Sequence, residues 1–221
     1  IDHLISEGKE KSKIHMVGNT MIDSLVNFNS SIKKSNILEE VNCPEKYGLM
    51  TFHRPSNVDN KDTLIELLST IEKCSKSLIM VLPLHPRTKK MISGEKLELN
   101  EKIIQCDPFG FNDYIKLQQN AYCVISDSGT IFEESSILGF PAITIREANE
   151  RPEGIDEGAV VMCNGFEKKI ITKSIDVCVE HYKVNPPSIP IDYNVNQVSW
   201  KVLKSILSYK EFVNKKTWYK S

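Results

Sequence analysis

The chain has 221 residues, 40% of them hydrophobic and 26% charged, with 28 Lys and Arg against 29 Asp and Glu for a formal charge of −1. That length can bury roughly 70% of the extended chain's surface, enough for one large domain or two small ones. The balanced charge excludes a uniformly basic nucleic-acid surface, and no apolar run reaches the ~20 residues of a bilayer-spanning helix.

Short β-rich runs alternate with amphipathic stretches. Ile14, His15, Met16 and Val17 form a strand candidate stopped by Gly18-Asn19. Residues 20–28 read as a helix with Met21, Ile22, Leu25 and Val26 on one face. Residues 29–45 are polar and punctuated and carry no assignment. Residues 47–52 form a buried strand ending at His53-Arg54-Pro55. Asn60 caps a helix striped by Leu64, Leu67, Leu68 and Ile71. Residues 78–82 form a further strand, with Pro83 and Pro86 at its exit.

A weaker helix follows Pro86. Strands are expected at 102–106, 122–126, 142–145 and 160–162, and helices at 111–119, 128–138 and 167–182. Gly139-Phe140-Pro141 ends the helix at 128–138. Pro186, Pro187 and Pro190 break the chain before a last amphipathic helix from about Val198. This alternation predicts an α/β fold, a doubly wound parallel sheet of about six central strands with helices on both faces.

The six cysteines are scattered without a C-x-x-C pair, which fits reduced, buried thiols. The five histidines form no His-x-x-x-His pair, so no metal site is expected. No secretory pattern is present, and a cytoplasmic setting is expected.

In doubly wound sheets, ligands bind outside the carboxyl ends of the strands. Three polar clusters fall at predicted strand ends: His53-Arg54, His85-Pro86-Arg87 and Asp127-Ser128-Gly129-Thr130. Together they suggest one anion-binding cleft. At a strand-to-helix switch, Gly129 allows a phosphate close to the backbone, and Ser128 and Thr130 offer hydroxyls. The plain alternative is a helix cap by Asp127 or Ser128. The glycine-rich run and Lys-Ser/Thr of a phosphate loop are absent, as is G-x-G-x-x-G.

Glu133 and Glu134 follow in the first turns of that helix, where negative charge suits the helix dipole. Glu134, if it faces the cleft, can accept hydrogen bonds from two adjacent sugar hydroxyls. The charged run from Arg146 to Gly154 contains Arg151, whose backbone is restricted by Pro152. Arg151 suits bidentate phosphate contact, or else a salt bridge to Glu147, Glu150 or Glu153.

The sequence resembles the C-terminal half of the non-hydrolysing UDP-N-acetylglucosamine 2-epimerase family. The resemblance is carried by Gly18-Asn19-Thr20-Met21-Ile22-Asp23, Thr51-Phe52-His53-Arg54-Pro55-Ser56-Asn57-Val58-Asp59 and Leu84-His85-Pro86-Arg87. The longest match is Ser126-Asp127-Ser128-Gly129-Thr130-Ile131-Phe132-Glu133-Glu134, continued through Gly139-Phe140-Pro141 to Glu150-Arg151-Pro152-Glu153. It implies a Rossmann-like domain, one half of a GT-B-like two-domain enzyme. On that reading, residues 1–13 end a missing N-terminal domain and linker. Residues 14–190 form the UDP-binding domain, and 191–221 a C-terminal helical segment.

The activity implied is C2 epimerisation of a UDP-N-acetylhexosamine by elimination and re-addition of UDP, without a cofactor, in polysaccharide biosynthesis. UDP and the UDP-sugar are the implied partners, with a homodimer for the full-length protein. By resemblance, Ser128 and Gly129 hold the pyrophosphate, with Thr130 beside them, and Glu134 holds the ribose. His53 and Arg151 stabilise the leaving group. Tyr114 lies near uracil and His85 near the nucleotide. The C2 bases belong mainly to the absent half, so this chain alone is expected to bind but not turn over.

Thr130 stands where the main branch has Gly. With Ser135-Ser136-Ile137-Leu138 and the run from Arg146 to Glu150, it points to a side branch acting on UDP-2-acetamido-2,6-dideoxy-L-hexoses. A GT-B glycosyltransferase and a non-catalytic UDP-binding module are the other readings.

Overall fold

The computed structural model describes residues 1–75 and 78–220. By its contacts the chain divides into two compact units, one of Ile1–Asn27 with Ile191–Ser221, the other Phe28–Pro190.

The larger unit is built on six parallel strands: β1 (Tyr47–Thr51), β2 (Ile79–Pro83), β3 (Ile103–Cys106), β4 (Cys123–Ser126), β5 (Ala142–Ile145) and β6 (Val160–Cys163). Their order is β3-β2-β1-β4-β5-β6, as a doubly wound α/β sheet requires. The order reverses between β1 and β4. At that seam Thr51 lies beside Ser126, and their hydroxyls are 3.0 Å apart.

Side chains alternate between two apolar layers, as the two-residue period of a strand dictates. Met50, Met80, Leu82, Ile125 and Ile143 join one core, with Leu64, Leu67, Ile171 and Ile175 from helices Lys61–Ser75 and Lys168–Val184. Leu49, Val81, Val124 and Ala142 face the other, against Leu117, Ile131 and Phe132. Burial on both faces is why these strands read as near-continuous apolar runs.

Helix boundaries follow local chemistry. The Asn60 Oδ1 accepts a hydrogen bond from the Thr63 N–H at 3.0 Å, the cap expected for helix Lys61–Ser75. Gly139 ends helix Ile131–Leu138 in the left-handed region at φ 70°, a conformation that costs a β-carbon residue about 1 kcal/mol or more.

Three sequence expectations are corrected. Residues 14–17 belong to no strand; Ile14 is extended, but an extended segment without a ladder partner is not a strand. The first long helix runs Met21–Lys34, and Ile37–Glu40 adds a turn within a stretch given no assignment. The helix expected at 128–138 begins at Ile131. Residues 128–130 instead form a turn in which Ser128 and Thr130 hydrogen-bond each other through their hydroxyls at 2.9 Å.

In the smaller unit, Asp23 accepts hydrogen bonds from the Val198 and Ser199 N–H groups at 3.1 and 2.7 Å, and from the Ser199 hydroxyl. It thus caps helix Val198–Lys216, whose own N-cap residue Gln197 offers no side-chain bond. No helix among the described residues is long and apolar enough to cross a membrane.

The core assignment makes a contrast measurable. Leu67 is fully buried, whereas Ile65 on the same helix is 39% exposed. Leu67→Ala should cost about 2–5 kcal/mol in urea unfolding, and Ile65→Ala under ~1 kcal/mol. Equal losses would mean that this helix does not dock through the Leu67 face.

Candidate functional site

The seam between β1 and β4 brings the first and third polar clusters together through one buried carboxylate. Asp127, fully buried, leaves β4 and points across to the segment after β1. It accepts from the backbone N–H of His53 at 3.0 Å and of Arg54 at 2.9 Å, and from the Asn57 amide at 3.0 Å. The His53 Nδ1 is 3.0 Å from Oδ1. In return, the Arg54 Nε donates to the Asp127 carbonyl at 2.9 Å. Asp127 is therefore no helix cap; it holds the β1 loop against the β4 loop.

These contacts set charge. Burial alone would raise the Asp127 carboxyl, but the bonds from His53, Arg54 and Asn57 outweigh it and hold it below its usual 3.8. The hydrogen bond to Asp127 raises His53 above its usual 6.5, against the opposing effects of burial and of Arg54 and Arg87. With Nδ1 tied to Asp127, Nε2 is the nitrogen left for a ligand.

His85, the N-cap of helix Pro86–Gly94, accepts from the Arg87 N–H through Nδ1 at 3.2 Å. Its ring centroid lies 5.5 Å from that of His53. Both line a cavity of about 210 Å³ with Thr51, Tyr114, Ser128, Thr130 and Glu134. That is below the ~300–1,000 Å³ usual for a ligand site, room for part of a nucleotide.

Within this wall the hydroxyls are linked. Thr51 Oγ1 is 3.3 Å from the Tyr114 hydroxyl, and the Ser128 N–H donates to Ser126 Oγ at 3.0 Å. Thr130 bonds both Ser128 Oγ and the Glu134 carboxylate. Glu134 is buried and accepts from Gln118 Nε2 at 2.6 Å. Its burial outweighs those bonds and raises its carboxyl above the usual 4.5. Burial likewise raises the Tyr114 hydroxyl.

Gly129 lies against two arginines. A β-carbon there would stand 2.6 Å from Arg151 Nη1 and 3.2 Å from Arg146 Nη1. Glycine is what lets both guanidinium groups approach the turn. Arg151 finds its main partner on a helix and not in its own loop: Nε donates to Glu133 Oε1 at 2.5 Å, and Glu150 lies 3.7 Å from Nη1. Glu133 is thereby committed to Arg151.

All eight candidate residues thus gather at the carboxyl edge of the sheet, seven around the cavity and the turn, with Arg151 against Gly129. Sequence reasoning missed the roles of Asp127, Asn57, Gln118 and Arg146. Asp127 stands in a strand-end cluster but reads there as a cap; Arg146 directly follows β5, so the strand-end rule could have found it, and the inward faces of Asn57 and Gln118 carry no such signal. Among the described residues, no cluster of three or more His, Cys, Asp or Glu could hold a metal ion.

The sequence matches the family model for UDP-N-acetylglucosamine 2-epimerase over residues 1–207. The chain belongs to this family. A UDP-N-acetylglucosamine 2-epimerase of Methanocaldococcus jannaschii is 36% identical over 188 residues, covering 80% of this chain and 50% of that protein. The crystal structure of the Methanocaldococcus jannaschii UDP-GlcNAc 2-epimerase in complex with UDP-GlcNAc and UDP superposes with a TM-score of 0.84 at 31% identity, covering 94% of this chain and 58% of that one. A UDP-N-acetylglucosamine 2-epimerase structure from Rickettsia bellii gives 0.87 at 38% identity, covering 99% and 60%. The chain spans about half the length of the curated relatives it matches.

The Asp127 clamp is testable in this epimerase-family chain by proton NMR. The His53 ring should titrate above 6.5 in the wild type and fall to or below it in Asp127→Asn, where burial and the nearby arginines act unopposed. The pair's stabilisation is lost as pH rises through the raised His53 value, and also as pH falls through the lowered Asp127 value. An unchanged His53 midpoint in Asp127→Asn would remove the clamp from this account.

Proposed function

We propose that this chain is the nucleotide-binding half of an enzyme that epimerises C2 of a UDP-linked N-acetylhexosamine. The supporting observation is the convergence of Arg146 and Arg151 on Gly129, beside the cavity walled by Glu134 and the two histidines. In this reading the diphosphate lies over the turn at residues 128–130. The N–H groups at the start of helix Ile131–Leu138 and the Arg151 guanidinium face its oxygens. Glu134 accepts the ribose hydroxyls, and Tyr114 borders the base.

Departure of UDP from C1 builds negative charge on the β-phosphate oxygen. Groups aimed at that oxygen lower the barrier only in so far as they bind it more strongly in the transition state than before. Arg151 and protonated His53 meet this condition, and one such donor is worth about 3 kcal/mol. Asp127 contributes by keeping His53 oriented and protonated at higher pH. Elimination also requires a base at C2. In this proposal the base comes from outside these residues, in keeping with a chain half the length of its relatives. The family's action on UDP-GlcNAc supports UDP-N-acetylglucosamine and its C2 epimer as the substrate pair.

Calorimetry separates the ribose role from the phosphate role. Glu134→Gln should weaken UDP about 10-fold or more, the loss of a charge-assisted hydrogen bond, while changing inorganic pyrophosphate little. Equal losses for both ligands would place Glu134 outside the ribose site. The full reaction is read by NMR in D₂O with protein of the length of its relatives: deuterium should enter C2 of UDP-GlcNAc as the epimer appears. Transfer of the sugar to an acceptor without deuterium at C2 would contradict the epimerase reading.

A further inference from the structure

Arg146 sits where an unpaired charge is costly. Its side chain is 1% exposed, and Nε and Nη1 are buried without a hydrogen-bond partner. Only Nη2 is satisfied, donating to the two oxygens of Glu150 at 2.7 and 2.5 Å. Glu150 is itself 59% exposed, four residues along the loop after β5, and its carboxylate also stands 3.7 Å from Arg151 Nη1. One surface carboxylate therefore faces two guanidinium groups. Both groups abut Gly129, at 3.2 and 2.6 Å from its β-carbon position.

The turn itself adds to this positive charge, because the first N–H groups of a helix lack intrahelical partners and carry the positive end of its dipole. Glu133 answers Arg151 from inside the fold. The counter-charge of Arg146 is the exposed, displaceable Glu150. A ligand does not reach the buried Nη1 in this geometry, so Arg146 acts through the turn and not by direct contact.

We propose that Arg146 is a positioning residue for the diphosphate, its buried charge forming the floor of the turn at Gly129, with Glu150 as its exchangeable counter-ion. In the empty site Glu150 neutralises the arginine pair. When a nucleoside diphosphate arrives, its phosphate oxygens take over that neutralisation. The inference rests on the nucleotide reading above. It differs from a plain loop brace in the sign of one effect: removing a brace weakens the ligand, whereas removing a competing counter-ion strengthens it.

The experiment compares UDP with uridine by calorimetry on the whole chain. Glu150→Gln should tighten UDP about 2- to 5-fold and leave uridine unchanged, the scale of one exposed ion pair. Arg146→Met should weaken UDP about 10-fold or more with uridine altered less than about 2-fold, and Arg146→Lys, which keeps the charge, should restore most of the loss. Weaker UDP binding by Glu150→Gln overturns the exchange. Equal weakening of UDP and uridine by Arg146→Met overturns the positioning role. Should Arg146→Met fail to fold, Arg146→Lys and Glu150→Gln decide: no preference of their effects for UDP over uridine overturns the proposal. A wild type that binds uridine but gains nothing from the diphosphate also overturns it, together with the placement of the diphosphate over the turn. A wild type that binds neither ligand sinks that reading and this inference together.

Discussion

The site depends on the burial of the Asp127 carboxylate. A carboxylate taken fully out of water is tolerated only when its oxygens are answered by donors, and here the donors all come from the segment after β1. The need for those bonds joins the ends of two adjacent strands at the point where the strand order reverses. Parallel pairing brings Thr51 and Ser126 level. Asp127 then fixes the loops that carry His53 and Arg54 on one side and residues 128–130 on the other. Ring orientation at His53 and the position of the turn at residues 128–130 are two consequences of the same contact.

A second constraint is the opposite one, an excess of positive charge drawn to Gly129. Arg151 is balanced by Glu133 inside the fold, and Arg146 by Glu150 at the surface. Holding two guanidinium groups beside a helix start has no evident benefit to stability, since replacing buried charges by apolar side chains is often neutral or better. It is favourable once an anion is present. Thr130 belongs to this arrangement through its hydroxyl, which bridges Ser128 and Glu134 and so links the turn to the buried carboxylate.

Much of this was legible in the sequence because strands buried on both faces leave long apolar runs, and because polar residues directly after such runs mark the ligand edge of the sheet. Residues 53–54, 85–87 and 127–130 were found in that way. The contacts missed were missed for identifiable reasons. Asp127 before a helix reads as a cap, and only the register of β1 against β4 shows that its side chain turns to the neighbouring loop. Arg146 sits in a run of charges, Arg146-Glu147-Ala148-Asn149-Glu150-Arg151, where nothing local says which arginine is buried. The partner of Arg151 lies on a helix 18 residues earlier, a separation that local spacing does not encode. Residues 14–17 have strand composition but no neighbour to pair with, which composition cannot reveal.

The central claim is that the carboxyl edge at the β1–β4 seam receives the diphosphate of a uridine nucleotide. Titrating UDP into the labelled protein and following each backbone amide in the ¹H–¹⁵N spectrum tests it most directly. The largest shifts should fall on Ser128, Gly129, Thr130 and Ile131, with His53 and Arg54 next. A competing surface is the groove formed by helices Lys61–Ser75 and Lys168–Val184, where Lys73, Lys168, Lys169 and Lys173 stand among Glu66, Glu167 and Asp176. Shifts concentrated on those residues, with the amides of 128–131 unmoved, would contradict the account.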